Sequence, residues 1–222
     1  PVLPQDTAED VAKKVHALNI EYALAYYAPD YLVKDVEKFG IDVLRASRIF
    51  RLGKVDKAPN VMLIGQSDES GNQLYENILG RQAEYVSMLP FMQVLDDFDP
   101  TDIIIFPGRY GNAGILSNLS NYEGKIHIDM NYDCDDILDL DTIKIQTVFL
   151  STSSTSFEEF FKEISYDNLI KYFDKKNVSQ LLIKENRGGS WIYDFKEKTS
   201  YEAPAHIGEI IHSVGVGDVY DI

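Results

Sequence analysis

Residues 212–218 read His-Ser-Val-Gly-Val-Gly-Asp. Gly215 and Gly217 carry no side chain, which suits a backbone that must approach an anion closely. If a helix begins at Gly217 or Asp218, its free N–H groups and the positive end of its dipole face that anion with roughly half a unit charge. The main-chain amides of Gly215, Val216 and Gly217 would then grip a phosphoryl group. Asp218 would stand at the mouth of this anion hole, where its carboxylate can take the proton of an attacking hydroxyl. Such chemistry is mostly positioning and electrostatics, so few side chains are needed.

The elements that must position this segment follow from the apolar pattern. Residues 8–18 place Val11, Val15 and Leu18 on one helical face. A short apolar run follows at 22–27, and residues 31–38 predict a helix stopped by Gly40. Stretches 45–52, 61–65 and 73–78 read as strands separated by turn signals at 57–60 and 67–72, which predicts a small antiparallel patch over about 43–79. From residue 101 strand-like runs at 102–106, 125–129, 146–150 and 180–184 alternate with helical stretches at about 111–120, 157–164 and 166–174. Continuous apolar strands between helices predict a mostly parallel sheet covered on both faces. Residues 189–194 and 199–203 read as a hairpin, and 207–222 run into the glycine-rich turn.

The C-terminal segment resembles the signature of the ribokinase-like (PfkB) carbohydrate kinases, Asp-Thr-x-Gly-Ala-Gly-Asp followed by an aromatic residue. Gly215, Gly217, Asp218 and Tyr220 are in place. Two weaker matches lie upstream. Residues 183–190 read Ile-Lys-Glu-Asn-Arg-Gly-Gly-Ser, similar to the family's nucleotide-contacting Thr-x-Gly-x-x-Gly-Ser/Ala turn, with Lys184 and Asn186 where Thr and Gly are usual and Gly189-Ser190 matching. The Asp-x-Asn segment of the family is matched by Asp129-Met130-Asn131. The patch at 43–79 resembles the family's lid.

The resemblance implies one ribokinase-like α/β domain over 1–222: a three-layer, mostly parallel sheet with helices on both faces and a small antiparallel β lid. It implies an ATP-dependent phosphotransferase acting on a hydroxyl of a sugar or nucleoside-like small molecule. Asp218 is the base, Gly215, Val216 and Gly217 form the anion hole, and Lys184, Asn186, Gly189 and Asn131 line the nucleotide side. ATP and Mg2+ are the implied cofactors. The lids of that family often pair, which implies a homodimer through the lid. The pattern departs from the family at three places. His212 stands where Asp is usual, residues 150–156 read Leu-Ser-Thr-Ser-Ser-Thr-Ser instead of carrying Asn-x-x-Glu, and no N-terminal Gly-Gly pair or sugar-binding Asp is found. These departures support an alternative, a catalytically inactive sugar- or nucleotide-binding regulatory module of the same fold. Four residues follow Asp218, too few for a stable helix, so the working protein is expected to continue beyond Ile222 and to begin before Pro1.

The remaining candidates have plainer readings. The acidic cluster of Asp129, Asp133, Asp135, Asp136 and Asp139 fails as a calcium loop, because its sixth position is Cys134 and its twelfth Leu140; helix caps and solvated surface are the expectation. His16, His127, His206 and His212 show no ligand spacing, and His127 is expected to be structural. The run 151–156 reads as a loop with a helix cap. Arg109 follows a strand at the edge where open α/β sheets bind ligands, yet a surface arginine is the simpler reading. Trp191 is expected in a core strand.

Composition narrows the function classes. The 222 residues are 45% hydrophobic and 26% charged, enough for a packed core. The formal net charge of −15, with no Lys/Arg-rich run, disfavours nucleic acid and acidic membranes as partners. Cys134 is the single cysteine, so no internal disulfide can form, which fits a cytoplasmic location. No apolar run is long enough to span a membrane. The chain carries no Walker loop, no Gly-x-Ser-x-Gly elbow and no His-Glu-x-x-His.

Overall fold

The structure, a computed structural model, describes residues 21, 23–42, 45–54, 62–67, 73–77, 89–105, 118–130, 143–152, 165–185 and 188–205. The helix expected at 8–18, most of the helix at 111–120, that at 157–164 and the glycine-rich end at 207–222 lie outside the described residues.

The apolar run at the start forms β1 (Ala23–Ala28), which continues through α1 (Val33–Asp42) to β2 (Arg48–Lys54). β1 and β2 pair in parallel, with Leu24 opposite Ile49 and Tyr26 opposite Arg51. This corrects the reading of 45–52 as part of the antiparallel patch. A parallel pair needs a crossover, and α1 supplies it. Gly40 also differs from expectation. It lies inside α1 and is buried, and a Cβ placed there would meet the side-chain tips of Ile49 and Leu24 at 2.9 and 3.0 Å. Glycine thus sits where the helix approaches the strands most closely, and the helix runs past it. The antiparallel patch itself is β3 (Met62–Ser67) with β4 (Gln73–Asn77), with a register shift between Ile64 and Gln66.

α2 (Leu89–Phe98), which the periodicity did not single out, precedes β5 (Asp102–Ile105), β6 (Lys125–Asp129) and β7 (Ile145–Ser151). The helix expected at 166–174 is α3 (Tyr166–Phe173), started by Ser165, whose side-chain oxygen accepts from the Asn168 N–H. β8 (Val178–Lys184), β9 (Ser190–Asp194) and β10 (Thr199–Ala203) complete a six-stranded sheet of order β10-β9-β8-β7-β6-β5. β5 to β8 are parallel; β9 and β10 form the expected hairpin and run antiparallel.

The two faces of this sheet differ because side chains alternate along each strand. On one face Ile103, Ile105, Ile126, Ile128, Val148, Leu150, Leu181 and Ile183 are all buried, and they pack with Leu95 of α2, Leu119, and Leu169 and Phe173 of α3. Burying each such side chain contributes about 1.5–3 kcal/mol, so this layer holds the sheet together. Trp191 closes it at the β9 side, stacked on Tyr166 at 4.6 Å and 8° and 6% exposed, as expected of a core residue.

The opposite face carries polar residues in register. Thr147, Gln180 and Asp194 are directly opposite one another on β7, β8 and β9. The Thr147 hydroxyl donates to Gln180 Oε1 at 3.4 Å, and Gln180 Nε2 donates to Asp194 Oδ2 at 3.2 Å. This ladder stitches three strands with side chains as well as backbone.

Candidate functional site

The C-terminal ends of β6, β7 and β8 lie side by side, and open α/β sheets bind ligands at this edge. Asp129 is the last residue of β6 and Lys184 the last of β8, with β7 between them. Register puts Asp129 opposite Phe149 and Ser151 opposite Lys184, so all four side chains belong to one face. Lys184 reaches diagonally across β7. Its Nζ lies 3.3 Å from Asp129 Oδ2 and 6.0 Å from the centre of the Phe149 ring. The two charged side chains are 9% and 1% exposed, which makes this a buried ion pair at the rim of the sheet.

The backbone under Lys184 is tied down on both sides. Its carbonyl accepts from the Thr152 N–H at 3.0 Å and from the Thr152 hydroxyl at 3.3 Å. The turn that follows is closed by Gly188 N–H to Glu185 O and Glu185 N–H to Gly189 O, each 2.8 Å. Gly189 has φ +99°, a conformation that favours glycine. A Cβ there would also run into the main chain of Ala203, Pro204 and Ala205. Backbone packing against the end of β10 therefore demands glycine at 189, whatever else the turn does.

Of the residues expected on the nucleotide side, Lys184 and Gly189 stand at the C-terminal edge of the parallel strands. Asn131 and Asn186 lie outside the described residues, as do Gly215, Val216, Gly217, Asp218 and His212. So do Arg109, Cys134 and the acidic residues from Asp133 to Asp139.

Asp129 departs from its expected place on solvated surface. It is one of the most deeply buried polar residues described. A signal for it was present: Asp129 and Lys184 each follow a buried isoleucine as the last residue of a strand, with opposite charges at equivalent ends of neighbouring-but-one strands.

His127 sits two residues before Asp129 on the same face, with Nε2 3.3 Å from Asp102 Oδ1 on β5 and its ring 6.3 Å from Phe149. Burial pushes the Asp102 carboxyl up, but hydrogen bonds from Thr101, His127 and Lys125 outweigh it and hold the group below the usual carboxylate range. This cluster ties β5 to β6. Nearby, burial raises the Tyr122 phenol, whose hydroxyl donates to Pro100 O at 2.7 Å.

At the end of β1, Asp30 accepts from Arg51 at 2.6 Å and pairs with Lys54 at 2.8 Å, and the Arg51 hydrogen bond is the chief cause that holds its carboxyl below the ordinary range. Asp30 is 61% exposed, so this pair adds little stability.

ATP fits the described part of the edge in one respect: a lysine is fixed there, at the end of a strand whose next turn is glycine-rich. Among the described residues no group of three or more His, Cys, Asp or Glu is arranged to hold a metal ion, and none of them is assigned to magnesium. No helix among the described residues is long and apolar enough to cross a membrane.

No family model matches the chain, and no curated protein matches it. Solved structures do. A ribokinase from Thermotoga maritima aligns over 96% of this chain and 69% of its own, at TM-score 0.65 and 13% identity. A ribokinase from Giardia lamblia aligns over 89% of this chain, with TM-score 0.61 and 13% identity, and this chain spans only 62% of that one. An Arabidopsis thaliana ribokinase complexed with ribose and ATP aligns over 96% of this chain and 70% of its own, at TM-score 0.63 and 11% identity. At such identities the likeness is one of fold: this is the ribokinase-like α/β fold.

Proposed function

We propose that this chain, built on the ribokinase-like fold, serves an ATP-dependent kinase that phosphorylates a hydroxyl of a sugar or nucleoside-like small molecule. The observation that carries the reading is Lys184, a fixed, buried cation at the C-terminal edge of the parallel sheet, one turn before Gly189. That is where a phosphate-bearing ligand belongs in an open α/β sheet. The ATP and ribose of the Arabidopsis thaliana neighbour support the substrate classes.

In this reading Lys184, Asn186, Gly189 and Asn131 line the nucleotide side. The amides of Gly215, Val216 and Gly217 hold the transferring phosphoryl group, and Asp218 takes the proton of the acceptor hydroxyl. Magnesium, when bound with the nucleotide, supplies neutralisation of phosphate charge. The protein's own part is to aim the acceptor, exclude water and hold the proton on Asp218.

The segment starting at Ser151 and Thr152 favours a second reading. It carries hydroxyls in place of the family's Asn-x-x-Glu, as a regulatory module that binds without transferring would allow. ADP release, measured with ATP, Mg2+ and a panel of sugars and nucleosides, separates the two. The kinase reading predicts ADP release that depends on one acceptor class. Thermal stabilisation by ligands with no ADP release would replace it with the module.

A further inference from the structure

We propose that Asp129 is a positioning residue for Lys184, holding the ammonium in place across β7 as a pre-aimed charge for the nucleotide phosphates. The inference rests on the reading above that the nucleotide lies at this edge.

The pair is hard to explain by stability alone. Two buried charges must give up their hydration, and well-packed apolar side chains of similar size usually do as well or better. The same strands supply that solution one residue away, where Ile128 and Ile183 are fully buried on the other face. Among the described residues the buried charges, Asp129 and Lys184, stand at the C-terminal edge of the sheet. The lysine is also constrained at both ends. Its carbonyl is held twice by Thr152, and its ammonium is held by a carboxylate from the next strand but one.

Loss of the Asp129 charge has two opposed effects on an incoming phosphate. It removes a competing anion, which strengthens attraction to Lys184. It also removes a buried carboxylate that holds the ammonium across β7, so the lysine is less firmly aimed and is drawn toward water. Loss of the aim is the larger of the two, because a charge-assisted hydrogen bond to phosphate needs the ammonium in place, so affinity falls.

The test combines MgATP titration with thermal denaturation of the chain. Lys184→Met and Asp129→Asn should each weaken MgATP binding by about tenfold or more, the scale of one charge-assisted hydrogen bond. Asp129→Glu, which restores the charge, should recover part of that loss. The double variant Asp129→Leu/Lys184→Met should melt at or above the wild-type temperature and still bind MgATP as weakly as Lys184→Met alone. A merely structural pair predicts that the double variant regains wild-type affinity along with its stability, and that result overturns the proposal. Wild-type affinity in a folded Asp129→Asn also overturns it, while leaving the kinase reading intact. If Asp129→Asn does not fold, the double variant and Asp129→Glu decide. A wild-type chain that binds no MgATP removes both the proposal and the reading beneath it.

Discussion

A side chain on Gly189 would strike the main-chain carbonyl of Ala203, at a φ of +99° that side chains rarely adopt. Two separate penalties therefore fall on any replacement: strain in the turn and a collision that no flexible side chain can relieve. Gly189→Ala should destabilise the fold by about 3 kcal/mol, read as a lowered melting temperature. A variant as stable as wild type would mean that the end of β10 is not seated on this turn.

The dry face of the sheet makes a second prediction. Leu181 is fully buried and packs within the apolar layer that includes residues of α2 and α3. Leu181→Ala should cost about 2–5 kcal/mol through lost contacts and a residual cavity. Tyr201 on the edge strand is 64% exposed, and Tyr201→Ser should change stability by no more than about 0.5 kcal/mol. Denaturant unfolding of both variants checks the contrast.

Acid sensitivity should show at Asp194. Its carboxylate accepts from the Glu197 N–H and the Lys196 N–H, each at 2.9 Å, and from Gln180 Nε2 at 3.2 Å. The Glu197 hydrogen bond leads in holding its pKa below the ordinary 3.8, with Gln180 adding to it. A depressed folded-state value means that the stabilisation is complete above the unfolded-state pKa and is lost as pH falls through the folded one. Melting temperatures recorded from about pH 5 downward should fall less steeply for Asp194→Asn than for wild type below about pH 4. Parallel curves would show that the side-chain ladder does not reach Asp194 in solution.

Much of this architecture was legible because continuous apolar runs leave few alternatives. Runs such as 102–106, 125–129 and 180–184 read as strands between helices, and β5, β6 and β8 lie in the parallel part of the sheet. The hairpin at 190–203 was equally plain. Two readings failed where tertiary contact overrode a local signal. Gly40 looks like a helix stop, but its missing side chain makes room for Ile49 and Leu24, and the helix continues. The strand at 48–54 looks like a neighbour of the patch that follows it, but pairs with a strand 25 residues earlier, opposite Ala23.

The site was legible unevenly. Lys184 was singled out through its place in a motif, and it stands at the C-terminal end of β8. Asp129 was placed in the wrong setting, because an acidic cluster reads as surface and nothing in the local sequence announces a partner 55 residues away. Charge at the end of an apolar strand is a better guide than charge density, since such a residue must find a counter-charge or leave the fold.

The central claim concerns Asp218, and the direct measurement is ADP release by wild type and Asp218→Asn, at saturating ATP and Mg2+ with an acceptor that supports turnover. Loss of a general base lowers the rate by about 10²–10⁴-fold, while MgATP affinity, which the proposal assigns to Lys184 and the amides of Gly215, Val216 and Gly217, should hold. Near-normal turnover in Asp218→Asn would contradict the account, because no carboxylate would then be taking the acceptor's proton at that position.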